Sequence, residues 1–559
     1  MLIKYILKYV IHLFSKSLSM KITSIHNNNT CIKVKQMKFT MNLLKLLLVI
    51  VIILCDDKNL GRCNKYNVLF IVVDDLRPAL GIYNDTNAYT PNIDKLGAKS
   101  VIFKHAFTQQ ALCAPSRNSF LTSRRPDTLH LYDFYNYWRK TVGDFTTLPQ
   151  HFKDNGYVTH SVGKVFHPGV SSNFTDDYPN SWTLQPFHPQ TQQYKNAKVC
   201  INDTGTYAMN IVCPVRVEES PGGTLPDLET LDAASQFLQV YKNKPYFLGV
   251  GFQKPHIPLK YPRKYLDFHP IDNVSVPSFH EKSMPTVAYN PWNDMRLRDD
   301  IKNLNLDYPF GRIPDDYTRK IVQSYSAAVT YIDDLIGSLL KKVNLDKTVV
   351  VLLGDHGVSM GEHGEFSKYS TFDVATKVPL MIYIPKFTQK SLIFDQPVEL
   401  LDAFPTLVDF TAVSKAMDTC VKTKIPKEKL CTEGKSLFND MVKLKVNQLN
   451  ENSKQKDEYV AISQYPRPGI FPTVKPDSDK PKLKQIKIMG YSIRTSAYRY
   501  TEWIGFDPTT FKANLTNVYA KELYSHAIDP QENINLANLP ALAGVMKDLR
   551  SKMLKKLNV

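Results

Sequence analysis

The 559-residue sequence has no apolar run long enough to span a bilayer, which takes about 20 residues. Glycine (23) is scarcer than proline (35), cysteine occurs only eight times, and no repeats or low-complexity tracts are present. These absences exclude a membrane-spanning mature chain, a collagen-like fibre, a disordered chain and a small disulfide scaffold. With 43% hydrophobic and 11% aromatic residues, the composition is typical of a large globular enzyme.

Acidic residues are missing from the first 45 positions, which contain eight lysines. This segment carries much of the formal net charge of +17, so the rest of the chain is only mildly basic. No nucleic-acid-binding module accompanies that charge, and we predict no nucleic-acid partner.

The N-terminal region has the pattern of a secretory leader. From Met37, lysines precede a short apolar run at 46–54, and polar chain follows it. We predict a leader over 1–57, with the signal peptide at 37–57 and residues 1–36 as either a longer start or a consequence of start-site choice. Five glycosylation sequons agree with a lysosomal or secreted destination. They lie at Asn84, Asn173, Asn202, Asn273 and Asn514.

The cysteine spacing predicts two local disulfides, since close pairs in a secretory protein usually join. The pairs are Cys200 with Cys213 and Cys420 with Cys431. Two other cysteines fall in the leader, Cys63 has no evident partner, and Cys113 is left for chemistry.

Two unbroken β-branched and aromatic runs, Tyr66–Val73 and Thr348–Leu353, predict strands buried on both faces of a largely parallel sheet. A helix is predicted over Tyr317–Lys342, behind two acidic residues. Strand, helix and strand in this order indicate an α/β architecture, in which ligands bind beyond the carboxyl ends of the strands.

The chain divides into two predicted domains after the leader. A catalytic domain covers 58–445 and a C-terminal subdomain covers 457–559, where IKIMGYSIRT and YRYTEWIGF indicate a small antiparallel sheet. Between them, a stretch from about Met441 to Lys456 is rich in Lys, Asn and Gln. We interpret it as exposed chain and place a linker, with a possible processing site, at 446–456.

The string Cys113-Ala114-Pro115-Ser116-Arg117 resembles the signature motif of the sulfatases. In that family the formylglycine-generating enzyme oxidises the cysteine to formylglycine (3-oxoalanine), whose hydrate is the nucleophile. The resemblance implies formylglycine at position 113 and Arg117 as the group that stabilises its hydrate. It also implies an alkaline-phosphatase-like α/β fold, with a large, mostly parallel sheet flanked by helices and a small antiparallel subdomain.

Hydrolysis of a sulfate ester, itself an anion, needs a cation, a strong nucleophile and an acid for the leaving alcohol. Asp74 and Asp75 follow one predicted strand and Asp355 follows another, so their carboxylates can converge on a cation. Taken alone, such residues are as typical of turns and caps. Oxygen ligands favour calcium over zinc. The resemblance adds His356 and the formylglycine at position 113 as ligands of one Ca²⁺ ion.

Further strings resemble a glycosaminoglycan-degrading branch of the family, in the same order: VDDLRP, GKVFHPG, KPHIP, GDHG, GEHGE and IKIMGYSIRT. The resemblance implies that Lys164 contacts the hydrate or sulfate and that His167 is the base that expels sulfate. It assigns His256 and Lys368 to sulfate binding and protonation of the sugar oxygen, and Lys487 to the uronate carboxylate. The implied reaction removes the 2-sulfate of non-reducing terminal L-iduronate in heparan or dermatan sulfate.

The sequence departs from that pattern at three places. Ser123 replaces a glycine after the cysteine motif, which predicts slower conversion to formylglycine, and Val358 and Phe366 replace tryptophans near the sugar. Alternatives are therefore a sulfatase of different regiospecificity and an inactive, secreted glycan-binding homologue. A phosphoesterase is disfavoured because His/Asp clusters for two zinc ions are too few.

Overall fold

The computed structural model describes residues 65–557, except 203–204, 279–282, 422–428, 448–458 and 474–477. The predicted leader, Cys63 and most of the predicted linker lie outside the described residues. In chain order the strands are β1 (Asn67–Val73), β2 (Val101–Phe107), β3 (Val158–Gly163), β4 (Cys200–Ile201), β5 (Tyr207–Ala208), β6 (Val212–Val215), β7 (Tyr246–Phe252), β8 (Leu259–Pro262), β9 (Thr348–Gly354), β10 (Ser359–Met360), β11 (Phe366–Ser367), β12 (Lys377–Tyr383), β13 (Leu392–Glu399), β14 (Ala461–Arg467), β15 (Ile488–Arg494), β16 (Tyr498–Asp507) and β17 (Lys512–Ser525).

The α-helices surround these strands. They are α1 (Pro91–Gly97), α2 (Cys113–Thr122), α3 (Pro126–Leu129), α4 (Trp138–Thr141), α5 (Leu148–Asp154), α6 (Pro226–Tyr241), α7 (Asn293–Arg296), α8 (Asp299–Lys302), α9 (Asp315–Leu340), α10 (Asp373–Thr376), α11 (Ala403–Thr411), α12 (Phe438–Asn447) and α13 (Ala543–Leu557). Within the described part of the chain, no helix combines the length and apolar composition needed to cross a membrane.

The central sheet has seven strands in the order β13-β2-β12-β9-β1-β7-β3. Only β12 runs antiparallel to its neighbours, so the prediction of a mostly parallel sheet is confirmed. Both predicted strands are present as β1 and β9, and the predicted helix is α9. Because β1 and β9 are parallel neighbours with Val73 opposite Gly354, the residues that follow them emerge side by side.

Side chains of β1 alternate between two cores, as the period of a strand requires. Leu69, Ile71 and Val73 pack on the face covered by α6 and α9. Val68, Phe70 and Val72 pack on the other face, which α2, α5 and α11 cover. Burial on both faces explains why the strand has no polar residue after Asn67.

The C-terminal subdomain contains a four-stranded antiparallel sheet in the order β14-β15-β16-β17, as predicted. Helix α13 packs on it through Leu549 and Met553. The sheet joins the catalytic part close to the cysteine motif, since the Gln464 N–H donates to the Gln109 carbonyl at 2.7 Å. The two predicted disulfides are also confirmed, whereas Cys113 is buried and unpaired.

The interpretation of the stretch from Met441 as exposed chain is wrong at its first residue. Residues 441–447 belong to α12, and Met441 is fully buried in the core beneath α11 and β13. Apolar residues at helical spacing, Phe438, Met441 and Val442, outweigh the surrounding Lys and Asn because they pack against an existing core. The domain limits at 445 and 457 stay predictions.

Glu399, at the end of β13, ties the subdomain to the catalytic part. Its carboxylate accepts two hydrogen bonds from Arg125, both of 2.8 Å, and one from the Ile462 N–H of β14 at 2.9 Å. Lys556 of α13 lies 3.2 Å away. Burial by itself would raise the pKa of Glu399, but Arg125 and Lys556 outweigh it and lower the pKa to about 2.

We expect Glu399→Gln to lower the free energy of unfolding at pH 7 by about 3 kcal/mol, because it removes the carboxylate that is hydrogen-bonded to the buried Arg125 guanidinium. A carboxylate whose pKa is depressed on folding stabilises the protein above its unfolded pKa of about 4.3 and loses that contribution as the pH falls toward 2. The difference in free energy of unfolding between parent and variant, measured by urea titration, should therefore shrink as the pH is lowered through this range. The matched control is Asp395→Asn on the same strand, where the side chain is 76% exposed. Equal deficits for both variants would contradict the assignment.

Candidate active site

Three buried carboxylates meet at the carboxyl edge of the central sheet. Asp74 and Asp75 follow β1, and Asp355 follows the neighbouring β9. Asp75 has a left-handed backbone (φ 60°) that lets its N–H donate to the Asp355 Oδ1 at 3.0 Å. The Tyr325 hydroxyl of α9 donates to the Asp75 carbonyl at 2.8 Å. The structure therefore brings these three residues together at one edge of the sheet, and their binding of a cation stays a prediction.

Cys113 is the first residue of α2, so its side chain lies at the positive end of a ten-residue helix. Its Sγ is 3.2 Å from His356 Nε2 and 3.5 Å from Asp74 Oδ1. The ammonium groups of Lys164 and Lys368 each lie 3.6 Å from it. The site thus places the thiol among a carboxylate, an imidazole and two cations.

Arg117 lies one helical turn after Cys113 and is fully buried. Its Nη2 donates to Asp74 Oδ1 and its Nε to Asp355 Oδ2, each at 2.9 Å. Its Nη1 also donates to the carbonyl oxygens of Lys164 and Val165. Although burial would lower the pKa of Arg117, Asp355 and Asp74 raise it. The guanidinium therefore stays charged and locks the cysteine helix to both strand ends.

The two predicted active-site lysines each pair with a carboxylate. Lys164 Nζ lies 2.5 Å from Asp74 Oδ2, and Lys368 Nζ lies 2.7 Å from Asp75 Oδ1. Burial would lower the pKa of each lysine, yet the adjacent carboxylate outweighs burial and raises it. Both side chains are consequently cationic and face Cys113.

The two other predicted histidines have the opposite electrostatics. Burial lowers the pKa of His167 and His256 well below the ordinary range, and Lys164 and Lys368, respectively, lower it further. His167 packs against Phe134, with ring centroids 4.5 Å apart. His256 shares a hydrogen bond of 2.6 Å between its Nδ1 and the Ile257 carbonyl. Both imidazoles are therefore neutral near neutral pH.

Two overlapping sets of side chains could hold a metal ion here. Asp74 and Cys113 belong to both; one set adds Asp355 and His356, the other Asp75 and His256. Donor atoms within each set lie within 4.8 Å of one another. That separation is short enough for one divalent cation to contact the donors of a set, and each set offers two carboxylates.

A third set of side chains, Asp373, His526 and Glu532, has suitable ligand atoms but differs in charge balance. Arg494 contacts Asp373 at 3.2 Å and Arg499 contacts Glu532 at 2.7 Å. These arginines already neutralise the carboxylates, so the set is an ionic network between the two domains.

The structure also reveals a positioning group that the sequence analysis missed. Lys254 is buried, and its Nζ donates to the carbonyl oxygens of His256 and Pro258. Asp227, at the start of α6, accepts the N–H groups of Gln253 and Lys254 at 2.6 and 3.2 Å. These contacts hold the loop that carries His256. The only signal in the sequence was the lysine of KPHIP, and nothing there connected it to Asp227.

Lys487 is not part of the cluster around Cys113. Its side chain is exposed, and its backbone bonds to Arg467 and Phe506. The adjacent Ile488, however, belongs to the apolar cluster of Leu112 and Tyr369, the neighbours of Cys113 and Lys368. Contact with a uronate carboxylate stays a prediction for Lys487.

The two tryptophan replacements line a small cavity behind Asp75. Val358 and Phe366 are both buried, and the Phe366 ring packs edge-on against Trp292 at 5.5 Å. The prediction that they alter the wall near the sugar is not tested by this arrangement.

Comparison with known proteins agrees with the geometry. Residues 66–413 match the family model described as Sulfatase. The chain belongs to the sulfatase family. It is 45% identical to mouse iduronate 2-sulfatase over 87% of this chain and 93% of the relative, and 46% identical to the human enzyme over 84% and 91%.

The sulfatase fold is also evident in solved structures. A structure in complex with its substrate D-glucosamine-2-N,6-O-disulfate superposes with a TM-score of 0.60 at 19% identity, covering 88% of this chain and 98% of that one. This sulfatase is accordingly a sulfuric ester hydrolase with an alkaline-phosphatase-like fold. Family members use formylglycine and a divalent metal ion.

Ser123 follows α2 in a left-handed conformation (φ 54°), which favours glycine over serine. Its hydroxyl compensates by donating to the Leu401 carbonyl and bonding the Thr432 hydroxyl, both at 2.7 Å.

We expect Ser123→Gly to relieve about 1 kcal/mol of backbone strain and to lose about 2 kcal/mol of hydrogen bonding. The variant should be about 1 kcal/mol less stable than the parent, and Ser123→Ala, which keeps the strain, about 2 kcal/mol less stable. Urea unfolding measures this order. A glycine variant more stable than the parent would show that strain dominates.

Proposed function

We propose that this sulfatase removes the 2-sulfate of non-reducing terminal L-iduronate 2-sulfate in heparan sulfate or dermatan sulfate. The observation that carries the proposal is the convergence of carboxylates and cations on Cys113 in a chain 45–46% identical to two iduronate 2-sulfatases. A buried, cation-rich pocket suits an anionic ester, because cations offset the charge that repels a nucleophile.

We further propose that Cys113 is converted to formylglycine by the formylglycine-generating enzyme in the secretory pathway, with a lysosomal or extracellular destination. Two disulfides support passage through an oxidising compartment. Formylglycine at position 113 would supply a hydrated aldehyde as the nucleophile, and Arg117, Lys164 and Lys368 would lie around it.

Calcium is the metal that the donor chemistry favours. Asp74, Asp75, Asp355 and His356 would hold it together with residue 113. A calcium ion held there would supply positive charge to offset the charge of a sulfate ester. Arg117 keeps Asp74 and Asp355 in place through its two hydrogen bonds.

The electrostatics divide the proton transfers between two groups. Lys368 is cationic and lies 3.6 Å from the Cys113 Sγ, so it can donate a proton to the departing sugar oxygen. His256 is neutral, so it is better suited to hydrogen-bond the sulfate than to donate a proton to the sugar oxygen. His167, also neutral, can accept the proton whose removal expels sulfate. Lys164, paired with Asp74, would bind oxygens of the hydrate or the sulfate.

The test is a panel of defined disaccharides incubated with purified protein and Ca²⁺ at acidic pH. The panel holds terminal iduronate 2-sulfate, glucosamine 6-sulfate and N-sulfate, together with a tetrasaccharide whose iduronate 2-sulfate is internal. We expect release of sulfate only from the terminal 2-sulfate. Release from another position would indicate different regiospecificity, and no release at all would favour a glycan-binding homologue.

A further inference from the structure

A basic and aromatic surface lies beside the active site. It consists of Tyr135, Lys482, Lys484 and Lys487, which we call the rim strip. The three lysines come from the run KPKLKQIK at 480–487, just before β15. Their side chains are exposed, and Tyr135 is 53% exposed.

The rim strip is held together by contacts between the two domains. The Leu483 N–H donates to Asp133 Oδ2 at 2.9 Å, and the Lys482 ammonium lies 4.9 Å from the centre of the Tyr135 ring. The lysine segment of the subdomain therefore has a defined position on the 133–135 segment of the catalytic domain.

Phe134 connects this surface to the reacting groups. Its ring lies 4.5 Å from the His167 ring on one side and 6.5 Å from the Tyr135 ring on the other. At the other end of the strip, Ile488 packs in the cluster of Leu112, the residue before Cys113. The strip thus begins one aromatic ring away from the predicted base and continues outward over the surface.

Direct ion pairs within the described part of the chain do not neutralise the charge of the strip. Among the described residues, Lys482, Lys484 and Lys487 form no ion pair, and the nearby Asp133 is buried with its oxygens bonded to the N–H groups of Tyr135 and Leu483. Clustered cations repel one another, which disfavours such a surface unless it meets an anion.

We propose that Tyr135, Lys482 and Lys484 of the rim strip bind the third and following sugars of an anionic glycan whose terminal residue lies at Cys113. This inference rests on the proposed function and extends it from a terminal sugar to a chain. Lys482 and Lys484 would pair with sulfates or carboxylates of those sugars. The Tyr135 ring would stack against the apolar face of a sugar ring. The strip contributes to binding of longer substrates and not to the chemical step.

The test compares a disaccharide with a hexasaccharide, both ending in iduronate 2-sulfate. We expect the parent enzyme to have a KM about tenfold lower for the hexasaccharide at low salt, since each exposed pair contributes up to about fivefold. The double variant Lys482→Ser/Lys484→Ser should lose this advantage, with the disaccharide KM and both kcat values within twofold of the parent. The advantage should also fall as salt rises.

The matched control removes the same charge elsewhere. Lys341 and Lys342 are exposed residues after α9 and before β9, so they lie at the sheet edge opposite Asp355. Lys341→Ser/Lys342→Ser should keep the hexasaccharide advantage. If both double variants raise the hexasaccharide KM equally, or if chain length has no effect on the parent, the rim strip is not a subsite.

A binding measurement separates this inference from the proposed function. In the Cys113→Ala protein, calorimetry should give a Kd for the hexasaccharide about tenfold higher after the Lys482/Lys484 change, whether or not the parent hydrolyses the 2-sulfate. An unchanged Kd would overturn the rim strip alone, and absence of hydrolysis with a changed Kd would overturn the proposed function alone.

Discussion

Cys113→Ala is expected to lower kcat by at least about 10⁴-fold, because loss of a catalytic nucleophile typically reduces kcat by this much or more. The side chain touches Asp74, His356 and two lysines but fills little space, so the variant should fold and keep its thermal transition within a few degrees.

Cys113→Ser distinguishes formylglycine from an ordinary hydroxyl nucleophile. The serine variant keeps an oxygen at the same place, and we expect it to be as inactive as the alanine variant because no aldehyde hydrate can form. Ser119→Ala, on the same helix, removes a buried hydroxyl that contacts none of the reacting groups and should leave kcat unchanged. Substantial activity of Cys113→Ser would contradict the mechanism.

Removal of divalent metal is expected to lower kcat/KM by at least about 10³-fold, because three buried carboxylates would then face an anionic sulfate. Added Ca²⁺ should restore the rate, whereas Zn²⁺ should not, since the donors are mostly oxygen.

Thermal unfolding provides a second readout of the same removal. Metal bound only to the folded protein stabilises it, so chelation should lower the transition temperature and Ca²⁺ should raise it again. Asp355→Asn should lower the affinity for Ca²⁺, whereas the exposed Asp395→Asn should not. Full activity after exhaustive chelation would exclude a metal at this cluster.

The positions of the three buried carboxylates were predictable because they follow from strand periodicity. Unbroken apolar runs identified β1 and β9, and adjacent parallel strands bring Asp74 and Asp355 together without further information. Local sequence patterns also predicted α9 and the strands β15 and β16 of the subdomain. Each of these signals lies within a short window of sequence.

Residues that act through tertiary contacts were not predictable. Lys254 and Asp227 are far apart in sequence and meet only because α6 packs beside the loop of His256. Likewise, the burial of Met441 in α12 depends on the core formed by α11 and β13, which the local sequence does not indicate. The conformation of Ser123 depends on Leu401 and Thr432, which no local pattern connects to it.

The different charge states of His256 and Lys368 also needed the structure. Both occur in recognisable strings, and the sequence assigned them jointly. Only the pairing of Lys368 with Asp75, at 2.7 Å, and the burial of His256 near that cation separate their charge states.

The most direct measurement is the mass of the peptide that contains residue 113, from protein secreted by a host that has the formylglycine-generating enzyme. The account predicts that this peptide carries the aldehyde, which an aldehyde-specific reagent will label, and that labelled fraction and specific activity rise together across preparations. A peptide that holds only the cysteine thiol in protein that still releases 2-sulfate would contradict it.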